Sequence, residues 1–166
     1  MFTLFKKKEK KEIFAFASGV VKSLTKVPDE AFSKGLLGPG IAIVPSDKTI
    51  VSPINGEITM LFPTKHALGI RREDGLEVLL HIGVDTVTLK GEGFTALVEE
   101  GRTVKVGEPL IIVDLPLLKE KQIVIDTMCI VTNPTQASID LEQLIDTEVT
   151  AGKEVILKVV GDSNGK

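Results

Sequence analysis

The 166-residue sequence has no tryptophan and no tyrosine, seven phenylalanines, one cysteine and two histidines. Each shortage removes a class of function. So few aromatics supply no platform for stacking bases, and a net charge of -3 gives no electrostatic reason to bind a polyanion, so no nucleic-acid partner is expected. Cys129, alone in Thr127-Met128-Cys129-Ile130-Val131, cannot close an internal disulfide. It reads as a small apolar core residue, which fits a reducing cytosol. No apolar run approaches the roughly 20 residues needed to cross a bilayer as a helix. A soluble, cytoplasmic protein is expected.

What is present is a chain with 43% hydrophobic residues, long enough to bury one proper core. Apolar, β-branched-rich runs fall at 13–21, 41–44, 49–51, 57–62, 66–70, 76–82, 110–113, 123–131 and 154–160, divided by Gly, Pro, Asn and Asp. They predict an all-β protein, an antiparallel β-sandwich with short helical turns only. The helical pieces are expected around Phe94–Val98 and Leu141–Ile145. Two internal echoes point to a duplicated hairpin unit. Ile13–Val20 aligns with Ile50–Glu57, and Val104–Gly107 aligns with Val149–Gly152.

The chemistry-bearing residues gather around the two histidines. In the run from Leu76 to Ile82, alternation sends Leu76, Val78, Leu80 and Ile82 to one face and Glu77, Leu79 and His81 to the other. The second face carries a charge, so the His81 imidazole reads as reachable. A neutral imidazole has a free ring nitrogen that acts as a nucleophile. Gly83 lets the chain turn so that a backbone carbonyl or Asp85 approaches that ring and sets its tautomer. In Pro63-Thr64-Lys65-His66 the same period of two puts the Thr64 hydroxyl on the side of the His66 ring.

These residues carry a resemblance. Gly75 to Leu89 matches, position by position, the signature of the IIA component of the glucose family of the bacterial phosphoenolpyruvate-dependent sugar phosphotransferase system. The segments Phe62–Ala67, Leu89–Phe94 and Asp114–Pro116 are also similar to that family's, and the resemblance runs from about Ile13 to about Val160. It implies a duplicated β-sandwich and a phosphocarrier. The carrier would take a phosphoryl group on Nε2 of His81 from the phosphorylated histidine-containing carrier protein and pass it to a cysteine on the IIB domain of a sugar permease. It further implies that His66 donates to the phosphoryl oxygens, that Thr64 orients His66, and that Asp85 meets basic side chains of the donor. Phe32, Phe62 and Leu79 match positions of an apolar docking patch. No obligatory cofactor is implied. Zinc is allowed at His66 and His81 when a partner carboxylate completes the site.

Other classes compete with that reading. A zinc peptidase of the lysostaphin type needs more histidines than this chain has. A biotinyl or lipoyl carrier needs a lysine at a hairpin tip, commonly within Met-Lys-Met, and that tripeptide is missing. A regulatory binding protein is the serious rival, because a phosphate on His81 changes a docking surface by about -2 charges. Regulatory targets are therefore also expected partners. Pro39 and Arg71-Arg72 depart from residues common in the family and alter its charge pattern. The domain is expected to span 13–160, with flexible tails at 1–12 and 161–166. In the first tail Met1–Phe5 precedes five lysines, which reads as a solvated basic tail or, alternatively, as a weak contact with anionic lipid worth at most about 1 kcal/mol per lysine near the surface.

Overall fold

The computed structural model describes residues 10–133 and 144–160. Its strands are β1 (Lys10–Phe14), β2 (Gly19–Lys22), β3 (Gly40–Pro45), β4 (Thr49–Val51), β5 (Gly56–Leu61), β6 (Ala67–Arg71) and β7 (Glu77–Ile82). They continue as β8 (Phe94–Ala96), β9 (Thr103–Val104), β10 (Pro109–Val113), β11 (Thr127–Val131), β12 (Glu148–Val149) and β13 (Val155–Val160). Among the described residues helix is confined to α1 (Glu30–Ser33), α2 (Leu115–Glu120) and two 3-10 turns at Leu24–Lys26 and Thr86–Leu89. The strands form an antiparallel β-sandwich. Its eight-stranded sheet runs β12-β2-β3-β11-β7-β6-β5-β9, accompanied by a sheet β4-β10-β8 and a ribbon β1-β13.

Alternation along β7 does what the sequence leads one to expect. Val78, Leu80 and Ile82 are buried, while Glu77, Leu79 and His81 are half-buried on the opposite face. The inner residues join one large core with Ile43, Ile58, Leu68, Ile70 and Leu110. Each such side chain contributes roughly 1.5–3 kcal/mol by leaving water. A second, smaller cluster lies on the outer face. Leu24, Val27 and Phe32, from the segment holding the first 3-10 turn and α1, cover Ala42, Met128 and Ile130. That cover ends beside His81.

The internal echoes are a real two-fold relation, visible in paired hydrogen bonds. Phe14 N–H donates to the Pro53 carbonyl and Val51 N–H to the Phe16 carbonyl, each at 2.9 Å. Gly152 N–H donates to Ala15 and Gly107 N–H to Ser52, each at 2.8 Å. The relation continues through the large sheet, whose strand order reads the same from both ends about the seam between β11 and β7. In one half Ile130 pairs with Gly40, and Val131 N–H donates to Pro39 at 2.8 Å. In the other half His81 pairs with Ala67, and Ile82 N–H donates to His66 at 2.7 Å. The two histidines thus stand where the other half has Ile130 and Pro39.

Several local expectations are corrected. Phe94–Ala96 is a strand and not helical, because it finds a partner in β10, with Phe94 opposite Val113 and Ala96 opposite Ile111. His66 lies in the turn just ahead of β6, not within the strand. The run 13–21 is two strands separated by a bend. The run 123–131 becomes a strand only from Thr127. Helix α2 was not foreseen, although Asp114 accepts the Leu117 N–H at 3.1 Å and Pro116 sits in its first turn, both ordinary helix-start signals. Strand β1 begins at Lys10, ahead of the Ile13 boundary, with Lys10 opposite Val160. Residues 1–9, 141–143 and 161–166, on which the tails and part of the second helical piece were placed, lie outside the described residues.

The duplication makes one position sensitive to a single methyl. Gly152 has φ of +77°, and a Cβ there would sit 3.0 Å from the Gly107 Cα. Gly101, at φ +91°, has open space around the same added atom. Gly101→Ala should cost about 1–2 kcal/mol, the left-handed backbone penalty alone. Urea unfolding should show Gly152→Ala losing more than Gly101→Ala, and equal losses would mean that the two halves do not press together there.

Candidate functional site

Both histidines come to one place by different routes. His81 projects from β7 between Met128 on β11 and Ala67 on β6, its partners in the sheet. His66 arrives through a tight turn in which Lys65 has φ of +60° and its N–H donates to the Phe62 carbonyl at 2.7 Å. The two imidazoles meet edge to face with centroids 4.9 Å apart. Phe32 lies 5.0 Å from His81, and Phe62 lies 5.3 Å from His66. The pair is therefore held between two phenyl rings.

Each ring has its Nδ1 engaged. Nδ1 of His81 lies 2.9 Å from the Gly83 carbonyl oxygen. A carbonyl only accepts, so Nδ1 carries the proton and Nε2 keeps its lone pair. Gly83 reaches that position at φ +78°, where an added Cβ would collide with the Thr86 methyl at 2.4 Å. The Thr86 hydroxyl, fully buried, donates to the Ile82 carbonyl at 2.5 Å and braces the turn. Nδ1 of His66 lies 2.6 Å from the Thr64 hydroxyl. With that hydroxyl donating, His66 offers an Nε2–H as a donor.

The electrostatics favour neutral rings. Burial, then the neighbouring His81, pulls His66 from its ordinary 6.5 down to about 4. Burial also lowers His81, opposed by the Gly83 carbonyl and by the carboxylates of Asp29 and Asp85. Asp85 is exposed and sits in the left-handed region at φ +59°. Asp29 caps α1 by accepting the Ala31 N–H at 2.9 Å. Sequence reading passed over Asp29; its only local signal is that helix-capping position, and its closeness to His81 comes from the tertiary fold.

The expected docking residues are distributed unevenly. Phe62 and Leu79 are half-buried, whereas Phe32 is only 3% exposed and spends its ring on His81 and the outer cluster. Larger apolar exposure belongs to residues not singled out from sequence. Leu36 is 71% exposed and Leu37 42%, directly after α1. Val87 is 52% exposed in the turn after Asp85, and Val124 is 40% exposed beside Val84, whose N–H its carbonyl accepts. Arg71 bridges Glu57 and Glu77 at 4.0 and 3.9 Å, and Arg72 pairs with Asp74 at 3.2 Å.

Cys129 is completely buried and its thiol pKa is pushed up, so it is an inert packing residue. Among the described residues no cluster of three or more metal-ligating side chains occurs. None of their helices is long and apolar enough to cross a membrane.

Known proteins resemble this chain along nearly its whole length. The family model for the phosphoenolpyruvate-dependent sugar phosphotransferase system, EIIA 1, matches residues 11–137. The chain is 41% identical over 159 residues to the PTS system glucose-specific EIIA component of Bacillus cereus, covering 96% of each. It is 41% identical over 145 residues to the glucoside-specific EIICBA component of Staphylococcus carnosus, where the similar part is 21% of that protein. The solved glucose permease IIA from Mycoplasma capricolum superimposes with a TM-score of 0.82 at 34% identity, covering 95% of this chain and 99% of that one.

Neutral, buried histidines impose a definite pH response. The unfolded chain binds a proton on His66 near 6.5 and the folded one only near 4, so between these values the unfolded state holds more protons. Stability therefore rises with pH through that window and is lost as pH falls, and His81 acts in the same direction. NMR titration should place the His66 ring midpoint near 4, and His81→Gln should raise it without restoring 6.5, because burial is the larger cause. A midpoint at 6.5 in the folded protein would contradict the burial of this pair.

Proposed function

The chain belongs to the EIIA 1 family of the phosphoenolpyruvate-dependent sugar phosphotransferase system, and on that premise we propose that His81 is its phosphoryl acceptor. The phosphorylated histidine-containing carrier protein is the donor and a cysteine on the IIB domain of a sugar permease is the recipient. The observation that carries this reading is the bond from Nδ1 of His81 to the Gly83 carbonyl at 2.9 Å, which leaves Nε2 as the nucleophilic atom on a half-buried ring. In the first step the Nε2 lone pair forms a bond to phosphorus while the donor's P–N bond breaks and its electron pair returns to the donor ring. In the second a cysteine thiolate attacks phosphorus and the electron pair returns to Nε2.

His66 stabilises the group in transit. Its Nε2–H, oriented by Thr64, donates to a phosphoryl oxygen, and such prepositioned donors are the main demand of this chemistry. Asp29 and Asp85 offer a basic donor an anionic rim. Leu36, Leu37, Val87, Phe62 and Leu79 supply the apolar contact around it, with Phe32 beneath. The name of the Staphylococcus carnosus relative joins EIIC, EIIB and EIIA in one protein, which supports a IIB recipient. The chain works in the cytoplasm on this reading, and the sugar itself never touches it. Zinc would find half of a tetrahedral set in Nε2 of His81 and, once it gives up its proton, Nε2 of His66, so a partner carboxylate must help complete any such site.

Replacing each histidine should fail at a different step. With phosphoenolpyruvate, enzyme I and the carrier protein, His81→Gln should accept no phosphoryl group. His66→Gln keeps an amide donor and should accept one, but its transfer to IIB should slow by roughly a hundredfold or more, the effect of losing a preorganised donor. Acceptance by His81→Gln with none by His66→Gln would reverse the assignment, and normal onward transfer by His66→Gln would remove His66 from the mechanism.

A further inference from the structure

Lys22 ends β2 on the same cross-strand row as His81. Lys22 pairs with Ala42, Ala42 with Met128, and Met128 with His81. Residues directly opposite in antiparallel strands project to the same side, so Lys22 and His81 leave the sheet on one face, three strands apart. Ala42 is small and fully buried between them. Over it the Lys22 ammonium reaches Asp126 Oδ2 at 2.6 Å, and that carboxylate is only 6% exposed. A buried carboxylate is costly without its counter-charge, so this contact is not an ornamental surface pair.

Asp126 also holds the turn that serves His81. Its carbonyl accepts the Gly83 N–H at 3.0 Å, and the Val124 carbonyl accepts the Val84 N–H at 2.9 Å. The peptide carrying the Gly83 carbonyl, the acceptor for Nδ1 of His81, is thereby moored to the segment entering β11. We propose that Lys22 and Asp126 are positioning residues for the phosphoryl acceptor: their ion pair fixes the Asp126 backbone against the Gly83 turn and so keeps the Gly83 carbonyl on Nδ1 of His81. Neither side chain touches the phosphoryl group. The role rests on the reading of His81 as that acceptor, yet it acts on a property measurable without phosphate, the tautomer of the ring.

Nitrogen NMR of the full chain with 15N-labelled histidine rings reads that tautomer directly. In the wild type His81 should carry its proton on Nδ1. In folded Lys22→Met the signals should move toward a mixture of tautomers while those of His66 stay in place, and acceptance from the phosphorylated carrier should slow roughly tenfold, the usual scale for losing a group that orients a functional histidine. Lys22→Arg should restore both. If Lys22→Met does not fold, Lys22→Met combined with Asp126→Leu removes the orphaned charge and should show the same mixture. A single Nδ1–H tautomer with wild-type acceptance in either folded variant overturns the proposal. A wild-type chain that takes no phosphate, but whose His81 tautomer still answers to Lys22, sinks the acceptor reading and leaves this role standing.

Discussion

An imidazole has two nitrogens, and only the one without a proton attacks. In His81 the hydrogen bond from Nδ1 to the Gly83 carbonyl leaves the lone pair on Nε2, and several neighbouring contacts keep that carbonyl in place. Gly83 adopts a left-handed conformation that ordinary side chains avoid, at φ +78°. The Thr86 hydroxyl braces the turn through the Ile82 carbonyl, and the Asp126 carbonyl takes the Gly83 N–H. Phe32 and His66 then limit how the ring swings. Preorganisation of this kind lets a protein with little covalent chemistry of its own act on a phosphoryl group.

Duplication explains why the site sits where it does. The seam between β11 and β7 is the axis about which the large sheet repeats, and at an axis equivalent positions become neighbours. One copy places Ile130 and Pro39 there, and the other places His81 and His66. The apolar copy packs under Leu24, Val27 and Phe32, while the polar copy is left at the edge of that cover. A half-buried histidine next to a closed apolar cluster follows from this asymmetry. Burial keeps both rings neutral, and partial exposure gives a partner access.

Much of this was legible in the chain because it is local. Alternation from Leu76 to Ile82, the glycine two places after His81 and the spacing of Thr64 from His66 each act over a few residues, and the fold places them accordingly. The echoes between Ile13–Val20 and Ile50–Glu57 align in the same register as the paired hydrogen bonds. What escaped depends on distance along the chain. Lys22 and Asp126 are 104 residues apart, and no period or motif announces that they touch. Asp29 reads as a helix cap until the fold sets it near His81. Phe94–Ala96 has a composition that fits helix or strand, and the open edge of β10 decided between them. Phe32 was expected on a docking surface, but the outer cluster needed a large ring beneath α1.

On the proposed reading, phosphate rests on Nε2 of His81 while Nδ1 remains bound to the Gly83 carbonyl. Phosphorylating the chain with its histidine rings labelled in 15N and recording phosphorus–nitrogen coupling tests it most directly. Coupling to Nε2 of His81 is expected, with the Nδ1 proton of the same ring still present. Coupling to Nδ1 of His81, or to either nitrogen of His66, would contradict it.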